Sequence, residues 1–388
     1  MLKKAVLKEG KERSLLKGHP WIFSGAISSL PQECEPGEIL PVYSSSGQFL
    51  AQAYFHPTHS LIGRVISFNQ KSIEEELKSR ILDAFALRNR LFDLNRTNGF
   101  RLINGEGDGI SGLVVDDYDG ILVLQAHTCG IERLKPLIVS LLVQIVQPKA
   151  IYEKSTSQSR KEEGLEEKKE LLYGTDFDEI EIRENGLKFL VAPKTGQKTG
   201  YFFDQREMRT FISSYSLGKK VLNCFAYTGG FGIYALAGGA TQVDSIEICK
   251  NSTALATKIT ALNGLKNHHV IQEEVFEFIA KSPLDYDLII LDPPAFAKKR
   301  KDADAACAGY INLNQSVFAK MPPRSYLLTC SCSQHIDELL FKNLIFQSAL
   351  RANRRVKILS CHRQALDHPV SLAHPEGAYL KSLFLYVE

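Results

Sequence analysis

Val221-Leu-Asn-Cys-Phe-Ala-Tyr-Thr-Gly-Gly-Phe-Gly232 is an apolar run that stops in a small-residue turn and reopens as a helical pattern. Val221 to Phe225 has the β-branched and aromatic content of a buried strand. Thr228, Gly229 and Gly230 let the backbone approach a ligand closely before the helix begins. A strand, a glycine turn and a helix in this order put a ligand above the strand's carboxyl end. The same turn also arises for packing reasons alone, so its meaning depends on the chain around it.

Downstream of Gly196 the pattern alternates strand and helix, which predicts a mostly parallel sheet wrapped by helices. Strands are expected at 221–225, 243–247, 269–272, 287–291, 325–330, 356–359 and 379–387, a seven-stranded α/β sheet of Rossmann-like type. Upstream, short β-rich segments at 39–43, 49–55 and 61–66, divided by Pro-Gly and Ser-rich turns, predict a small β-barrel over residues 1–70. A helix is expected from Ser72 to about Leu94, its acids at Glu74 to Glu76 suiting the start of a helix. It opens a central α+β segment, 71–195, with a Tyr-Asp-Gly hairpin inside 112–125 and a helix over 132–145. The mixed-charge run Arg160 to Glu170 reads as a mobile, solvated loop. The third domain is 196–388.

Composition sets limits on this reading. The 388 residues exceed the size at which one core stops growing, so two or three domains are expected. A 44% hydrophobic and 23% charged chain matches globular protein, and no apolar run approaches the roughly 18 residues of a membrane span. The charged opening lacks the long apolar core of a secretory leader, so a cytoplasmic protein with no membrane partner is expected. Eight scattered cysteines contain no Cys-x-x-Cys pair, which argues for reduced thiols and against a zinc or redox motif; no metal is expected. Net charge is only +3, so any nucleic-acid affinity must come from local clusters. Two such clusters stand out: the opening with Lys4 and Arg13, and Lys298-Lys299-Arg300-Lys301. Each is either a phosphate-contacting surface or simply a solvated stretch. Trp21 and Phe23 read as core rather than as platforms for stacked bases.

Glu247 ends the second expected strand, 18 residues after Gly229, where an acid accepts hydrogen bonds from the ribose of an adenosine-containing cofactor. Its alternative is a helix-capping role. Glu274 and Val275 end the third strand and are placed for an adenine ring, with Glu274 equally able to cap the next helix. The turn carries bulky Phe225 and Tyr227 where close phosphate approach needs small residues, which favours a phosphate-free nucleoside over a dinucleotide. Asp292 closes the fourth strand before Pro293-Pro294, which halt pairing and hold it at the sheet edge. Cys332, in Cys330-Ser-Cys332-Ser333, ends the fifth. A lone cysteine is usually a small buried hydrophobe, but a thiol converging with Asp292 on one crevice is a candidate nucleophile.

These residues resemble a known family. Residues 200–388 are similar to class I S-adenosylmethionine-dependent methyltransferases, and nearly the whole chain resembles the bacterial PUA-domain 23S rRNA cytosine-C5 methyltransferases. The strings carrying the resemblance are Lys17-Gly-His-Pro-Trp-Ile-Phe23, Arg101-Leu-Ile-Asn-Gly-Glu-Gly-Asp-Gly-Ile-Ser-Gly-Leu-Val-Val-Asp116, Gly196-Gln-Lys-Thr-Gly-Tyr-Phe-Phe-Asp-Gln-Arg206 and Asn223-Cys-Phe-Ala-Tyr-Thr-Gly-Gly-Phe231. The resemblance implies that Tyr201, Asp204, Asn223, Phe225, Tyr227, Gly229, Glu247, Glu274 and Asp292 surround S-adenosylmethionine, with Thr228 and Val275 beside them. It implies that Cys332 is the nucleophile. Cytosine C5 is a poor nucleophile, so a thiolate must add to C6 before C5 takes a methyl group, on a base flipped out or presented single-stranded. Other RNA cytosine-C5 methyltransferases carry a second cysteine after the proline of the fourth-strand motif, where this chain has Pro294-Ala295. Cys330 is too close along the strand to be taken as its substitute, and the acceptor of the C5 proton stays open between Asp292 and water.

The rival readings are an RNA methyltransferase acting on a base nitrogen such as guanine N7, which needs no thiol, and a non-catalytic RNA-binding protein on a degenerate methyltransferase fold. Loss of Glu247 or Asp292 would mark the latter, and both are present. The expected partners are large-subunit ribosomal RNA, naked or in an assembly intermediate, and a second copy of the chain in a homodimer.

Overall fold

The computed structural model describes residues 3–296 and 302–388. The chain forms two compact units, the first made of Met1–Gly186, Val191–Phe203 and Asp367–Gly377, the second of Leu187–Leu190, Asp204–Leu366 and Ala378–Glu388.

In the first unit, β1 (Ala5–Leu7), α1 (Arg13–Leu16), β2 (Trp21–Phe23), β3 (Ile27–Ser29), β4 (Glu38–Tyr43), β5 (Phe49–Phe55) and β6 (Leu61–Ser67) precede the long α2 (Ile73–Leu91). The strands form a six-stranded sheet in the order β2-β6-β5-β4-β1-β3, its two end strands joined directly through a single 3-10 turn at Ser24–Ala26. Alternate residues Leu40 and Val42, Ala51, Ala53 and Phe55 point into one core with Ala5, Leu7 and Ile22. Trp21 is partly buried, its ring 4.3 Å from His374 and its Nε1 donating to Glu106 Oε1 at 3.0 Å. Phe23 departs from the expectation of a core residue: it is 51% exposed.

α2 starts at a reciprocal cap, Ser72 Oγ accepting from Glu75 N and Glu75 Oε2 accepting from Ser72 N. β7 (Gly99–Asn104), β8 (Leu113–Tyr118), β9 (Ile121–Ala126), α3 (Cys129–Val146), β10 (Ala150–Ser155), α4 (Gln158–Glu162) and β11 (Lys168–Gly174) follow, and β12 (Ile180–Glu184) comes after them. The strand order is β11-β10-β9-β8-β7. The expected β8–β9 hairpin turns at Asp119 and Gly120, both at positive φ (54° and 86°), the geometry that matches sheet twist. Leu77 and Ile81 of α2 and Leu134 and Ile138 of α3 pack on Leu102, Val115 and Leu124, and Tyr54 and Ile66 from β5 and β6 join the same cluster. The step at residue 70 is thus a change of sheet within a shared core.

The charge run is a correction. Residues 158–162 and 168–174 fold as α4 and β11, with an irregular connection at 163–167; most of the run is solvent-exposed as expected, but Arg160 and Glu163 are buried. Its guanidinium sits 2.8 Å from Glu132 and 4.0 Å from Glu153 and donates to Ala126 O at 2.9 Å. Two partly or fully buried carboxylates need counter-charges, and Arg160 and Lys135 supply them.

In the second unit, after β13 (Leu187–Val191), come α5 (Arg206–Ser214), β14 (Lys220–Cys224), α6 (Gly230–Ala237), β15 (Gln242–Glu247), α7 (Lys250–Leu262), β16 (His268–Gln272), α8 (Val275–Lys281), β17 (Leu288–Leu291), α9 (Ala303–Lys320), β18 (Ser325–Ser331), α10 (Glu338–Arg351), β19 (Val356–His362) and β20 (Lys381–Val387). All seven expected strands are present, in the order β16-β15-β14-β17-β18-β20-β19, with β20 antiparallel to both its neighbours. Strand residues alternate between two buried faces. Leu222, Cys224, Ile289, Leu291 and Leu327 pack with α8, α9 and α10, while Val221, Val243, Leu288, Ile290 and Leu328 pack with α5 and α6. A sheet buried on both faces reads as near-continuous apolar strands, which is why they were legible. The chain moves outward from β14 through β15 to β16, then returns to β17 on β14's other side. That reversal places a crevice above the carboxyl ends of β14 and β17.

Candidate active site

The turn after β14 has unusual backbone geometry. Phe225 and Tyr227 adopt left-handed φ values of 58° and 49°, a region that costs an aromatic residue on the order of 1 kcal/mol or more. The turn is pinned to β15: Ala226 N donates to Ile246 O at 3.0 Å and Tyr227 N to Glu247 Oε2 at 2.9 Å. The other oxygen of Glu247 accepts from Cys249 N at 2.9 Å, at the start of α7. Glu247 is therefore both a strand-end acid and a cap. Each carboxylate oxygen accepts two hydrogen bonds, so capacity for ribose hydroxyls is left.

The glycines of the turn face protein rather than ligand. A Cβ on Gly229, itself left-handed at φ 79°, would meet Ala256 and His268 at 3.2 Å; one on Gly232 would meet His268 Nε2 and Ser245 Oγ at 2.9 Å. The small residues let α6 lie against β15 and β16, so the packing alternative accounts for these two. Thr228 is buried beside them.

A hydrogen-bond chain fixes Asn223. Thr260 Oγ1 donates to Ala256 O and so accepts from His268 Nδ1 at 2.6 Å. His268 Nε2 then accepts from Ser245 Oγ at 2.8 Å, and Ser245 accepts from Asn223 Nδ2 at 3.2 Å. Burial lowers the His268 pKa to about 4, which keeps the ring neutral as this chain requires. With its amide nitrogen committed, Asn223 presents Oδ1, a buried acceptor with no partner among the described residues. Such an atom awaits a donor from a bound ligand.

Glu274 caps α8, its Oε2 accepting from Glu277 N at 3.0 Å, while Val275 is buried behind it. The cap alternative is thus realised for Glu274. Phe276 lies 6.3 Å from Phe225 and 6.4 Å from Phe296, which in turn lies 4.7 Å from Tyr310. The aromatic series runs from the cofactor turn to the β18 end.

There Asp292 and Cys332 come together. Asp292 Oδ1 accepts from Gln205 Nε2 at 2.9 Å, and Cys332 Sγ approaches the carbonyl of the next residue, Pro293, at 3.9 Å. Tyr310 hydrogen-bonds Ser333 Oγ at 3.1 Å, and Lys381 Nζ donates to Ser333 O at 2.7 Å. Cys330 is fully buried in the sheet, and burial with the nearby Asp292 charge raises its pKa well above that of a free thiol, so it stays protonated. Asp204 belongs to this unit and accepts from Tyr379 at 2.6 Å. Tyr201 belongs to the first unit, where it is buried with its hydroxyl 3.4 Å from Glu184 Oε1.

Of the basic candidates, Lys4 is exposed with Nζ 5.4 Å from the Tyr43 ring centre, and Arg13 is exposed at the start of α1. Lys298, Lys299 and Arg300 lie outside the described residues. Sequence reasoning missed Gln205, Ser245, His268, Phe276, Tyr310 and Lys381. Gln205 stood inside a quoted string, next to Asp204; the others are brought to the site only by strand pairing and helix packing, which leave no local signature. Among the described residues no helix is long and apolar enough to cross a membrane.

Comparison with known proteins agrees with this arrangement. A PUA-like domain model matches residues 5–68, and an S-adenosylmethionine-dependent methyltransferase model matches residues 156–342. The ribosomal RNA large subunit methyltransferase I of Aeromonas salmonicida is 37% identical over 385 residues, 97% of each chain, and that of Vibrio cholerae is 38% identical over 384 residues, again 97% of each. Two solved structures share the fold over 99% of this chain and 100% of theirs at 24% identity: a candidate SAM-dependent methyltransferase from Streptococcus mutans (TM-score 0.84), and a candidate methyltransferase complexed with SAH (TM-score 0.85). The sheet and its crevice define a class I S-adenosylmethionine-dependent methyltransferase preceded by a PUA-like domain. The chain belongs to the ribosomal RNA large subunit methyltransferase I family. Its cofactor is S-adenosylmethionine, and the residues fit it: a buried unpartnered acceptor on Asn223, a strand-end acid at Glu247, aromatic edges at Phe225 and Phe276, and a turn too bulky for a pyrophosphate.

Proposed function

We propose that the protein methylates C5 of a cytosine in large-subunit ribosomal RNA through a covalent bond between Cys332 and C6 of the base. One observation carries this reading: the Cys332 thiol lies 3.9 Å from the carbonyl of Pro293, directly after Asp292 at the crevice edge. A nitrogen methyltransferase has no use for a thiol there.

Asn223, Glu247 and the 225–227 turn hold the cofactor's nucleoside end, with Glu274, Val275 and Phe276 along the adenine and Asp204 closing the site. S-adenosylmethionine supplies an electrophilic methyl group. The Cys332 thiolate adds to C6, forming a C–S bond while the C5=C6 electron pair is pushed toward the ring, which makes C5 nucleophilic. After C5 takes the methyl group, its proton leaves, the C5–H pair restores the double bond, and the thiolate departs. Asp292, oriented by Gln205, is the candidate acceptor for that proton. The base is held out of a helix for this chemistry, with Lys4, Arg13 and Lys298, Lys299 and Arg300 as candidate phosphate contacts. Action on ribosomal RNA fits a cytoplasmic location, and a homodimer is open to direct measurement by light scattering.

The test is to map 5-methylcytidine in large-subunit RNA from cells with and without the gene. One site should lose its 5-methylcytidine and regain it on complementation with the wild-type gene. Loss of a guanine methylation instead would replace this reading with the nitrogen one.

A further inference from the structure

Lys381 is a buried lysine with no carboxylate partner among the described residues. It lies on β20 directly opposite Ser331 of β18, so its side chain reaches the strand end that carries Cys332. Its Nζ donates to two backbone carbonyls, Ser333 O and Tyr379 O, both at 2.7 Å. Two acceptors satisfy the two N–H bonds of a neutral amine and leave its lone pair uncommitted; an ammonium would keep one N–H over. A buried cation normally stands against a carboxylate, and leaving it unpaired is costly. The acidic groups that act on it electrostatically are the Cys332 thiol and Asp337, the residue before α10.

We propose that Lys381 is the positioning residue that ionises Cys332, taking the thiol proton and remaining as the thiolate's counter-charge. The S–H bond breaks with its electron pair left on sulfur, and an N–H bond forms from the amine lone pair. The pair's net charge is unchanged, so no uncompensated charge is buried. The proposal rests on the reading of Cys332 as nucleophile. Burial lowers the Lys381 pKa to about 8, which brings the amine into the range where proton exchange with a thiol is balanced. Groups facing the pair from the surrounding elements are Asp292 after β17, Tyr310 of α9, Cys330 of β18 and Asp337. Burial raises the pKa values of Tyr310 and Cys330, which stay protonated, and the charge of Asp292 adds to both shifts; Asp337 acts on Lys381 itself.

The rate of iodoacetamide alkylation at Cys332, followed by mass spectrometry of its peptide across pH, reads the thiol's ionisation without reference to methyl transfer. In the folded wild-type protein its midpoint should lie below that of the same thiol in urea. Lys381→Met should raise it by one unit or more, about a tenfold slower alkylation at pH 7. Lys381→Arg, which keeps the charge, should hold the midpoint low. S-adenosylmethionine binding checks that each variant is folded. An unchanged midpoint in Lys381→Met overturns the proposal. If that variant does not fold, a wild-type midpoint at or above the unfolded value overturns it as well. Should Cys332→Ala retain methyl transfer while the midpoints shift as expected, the ion pair stands and the nucleophile reading fails.

Discussion

Phe225 and Tyr227 hold left-handed backbone angles in a turn whose Ala226 and Tyr227 amides are fixed by Ile246 O and Glu247. The strain is affordable only where surrounding structure fixes it, and such sites cluster at ligand clamps. Replacing Glu247 with Ala removes the clamp on Tyr227 N and, on the proposed reading, the acceptor for the ribose hydroxyls. Affinity for S-adenosylmethionine, read by calorimetry, should fall at least about tenfold; undiminished affinity would detach Glu247 from the cofactor. His268 carries a second consequence. Its folded pKa of about 4 lies below the ordinary 6.5, so between those values the unfolded chain binds more protons than the folded one. Stability therefore falls as pH drops from 6.5 toward 4. His268→Gln should flatten that decline in melting temperature, partially, because His127 in the first unit is also lowered to about 4 by burial. A slope unaltered by the substitution would exclude His268 as a contributor.

The positions of Glu247, Asp292 and Cys332 at the carboxyl ends of β15, β17 and β18 were legible, and a strand end in a doubly wound sheet has a known position relative to the crevice. Lys381 was not. Its sequence neighbours are ordinary strand residues, and only antiparallel pairing with Ser331 carries it to the thiol. Glu274 lies two residues beyond the end of β16 and is the N-cap of α8, so the capping alternative, not a strand end, is what the structure shows for its carboxylate.

Strands and helices follow from pattern where both faces of the sheet are buried, since alternation and continuous apolarity leave no second register. The run 160–170 misled because charge density usually means solvent. Here Glu153 is buried within β10, and the chain folds back to neutralise it. Arg160→Met should cost about 3 kcal/mol or more, since it leaves buried carboxylates short of a partner; a loss within 0.5 kcal/mol by denaturant titration, the usual range for a surface site, would return the run to the solvated class. In the second unit, Gly232 lets α6 lie against β15. Gly232→Ala drives a methyl into His268 and Ser245 at 2.9 Å, and should cost about 1–3 kcal/mol. An unchanged melting temperature would mean that α6 can shift without loss.

The order of elements was readable across the whole chain: a β-rich opening, a helix, an α+β segment and an alternating α/β half. The grouping of the pieces was not, because Tyr54 and Ile66 join the central core and residues 367–377 return to the first unit, contacts with sequence separations that no local pattern encodes. On the proposed reading the basic residues of the PUA-like domain contact RNA phosphates. Binding to large-subunit RNA fragments should weaken steeply between low and physiological salt, and salt-independent affinity would contradict phosphate contacts by the basic clusters. The most direct measurement of the chemistry uses an RNA fragment with 5-fluorocytidine at the target position, together with S-adenosylmethionine. Fluorine cannot leave C5 as a proton does, so the adduct should persist as a denaturant-stable protein–RNA complex linked at Cys332, absent in Cys332→Ala although that variant still binds the cofactor. Methylation of ordinary RNA by Cys332→Ala at the wild-type rate, or a linkage through another residue, would contradict the covalent mechanism.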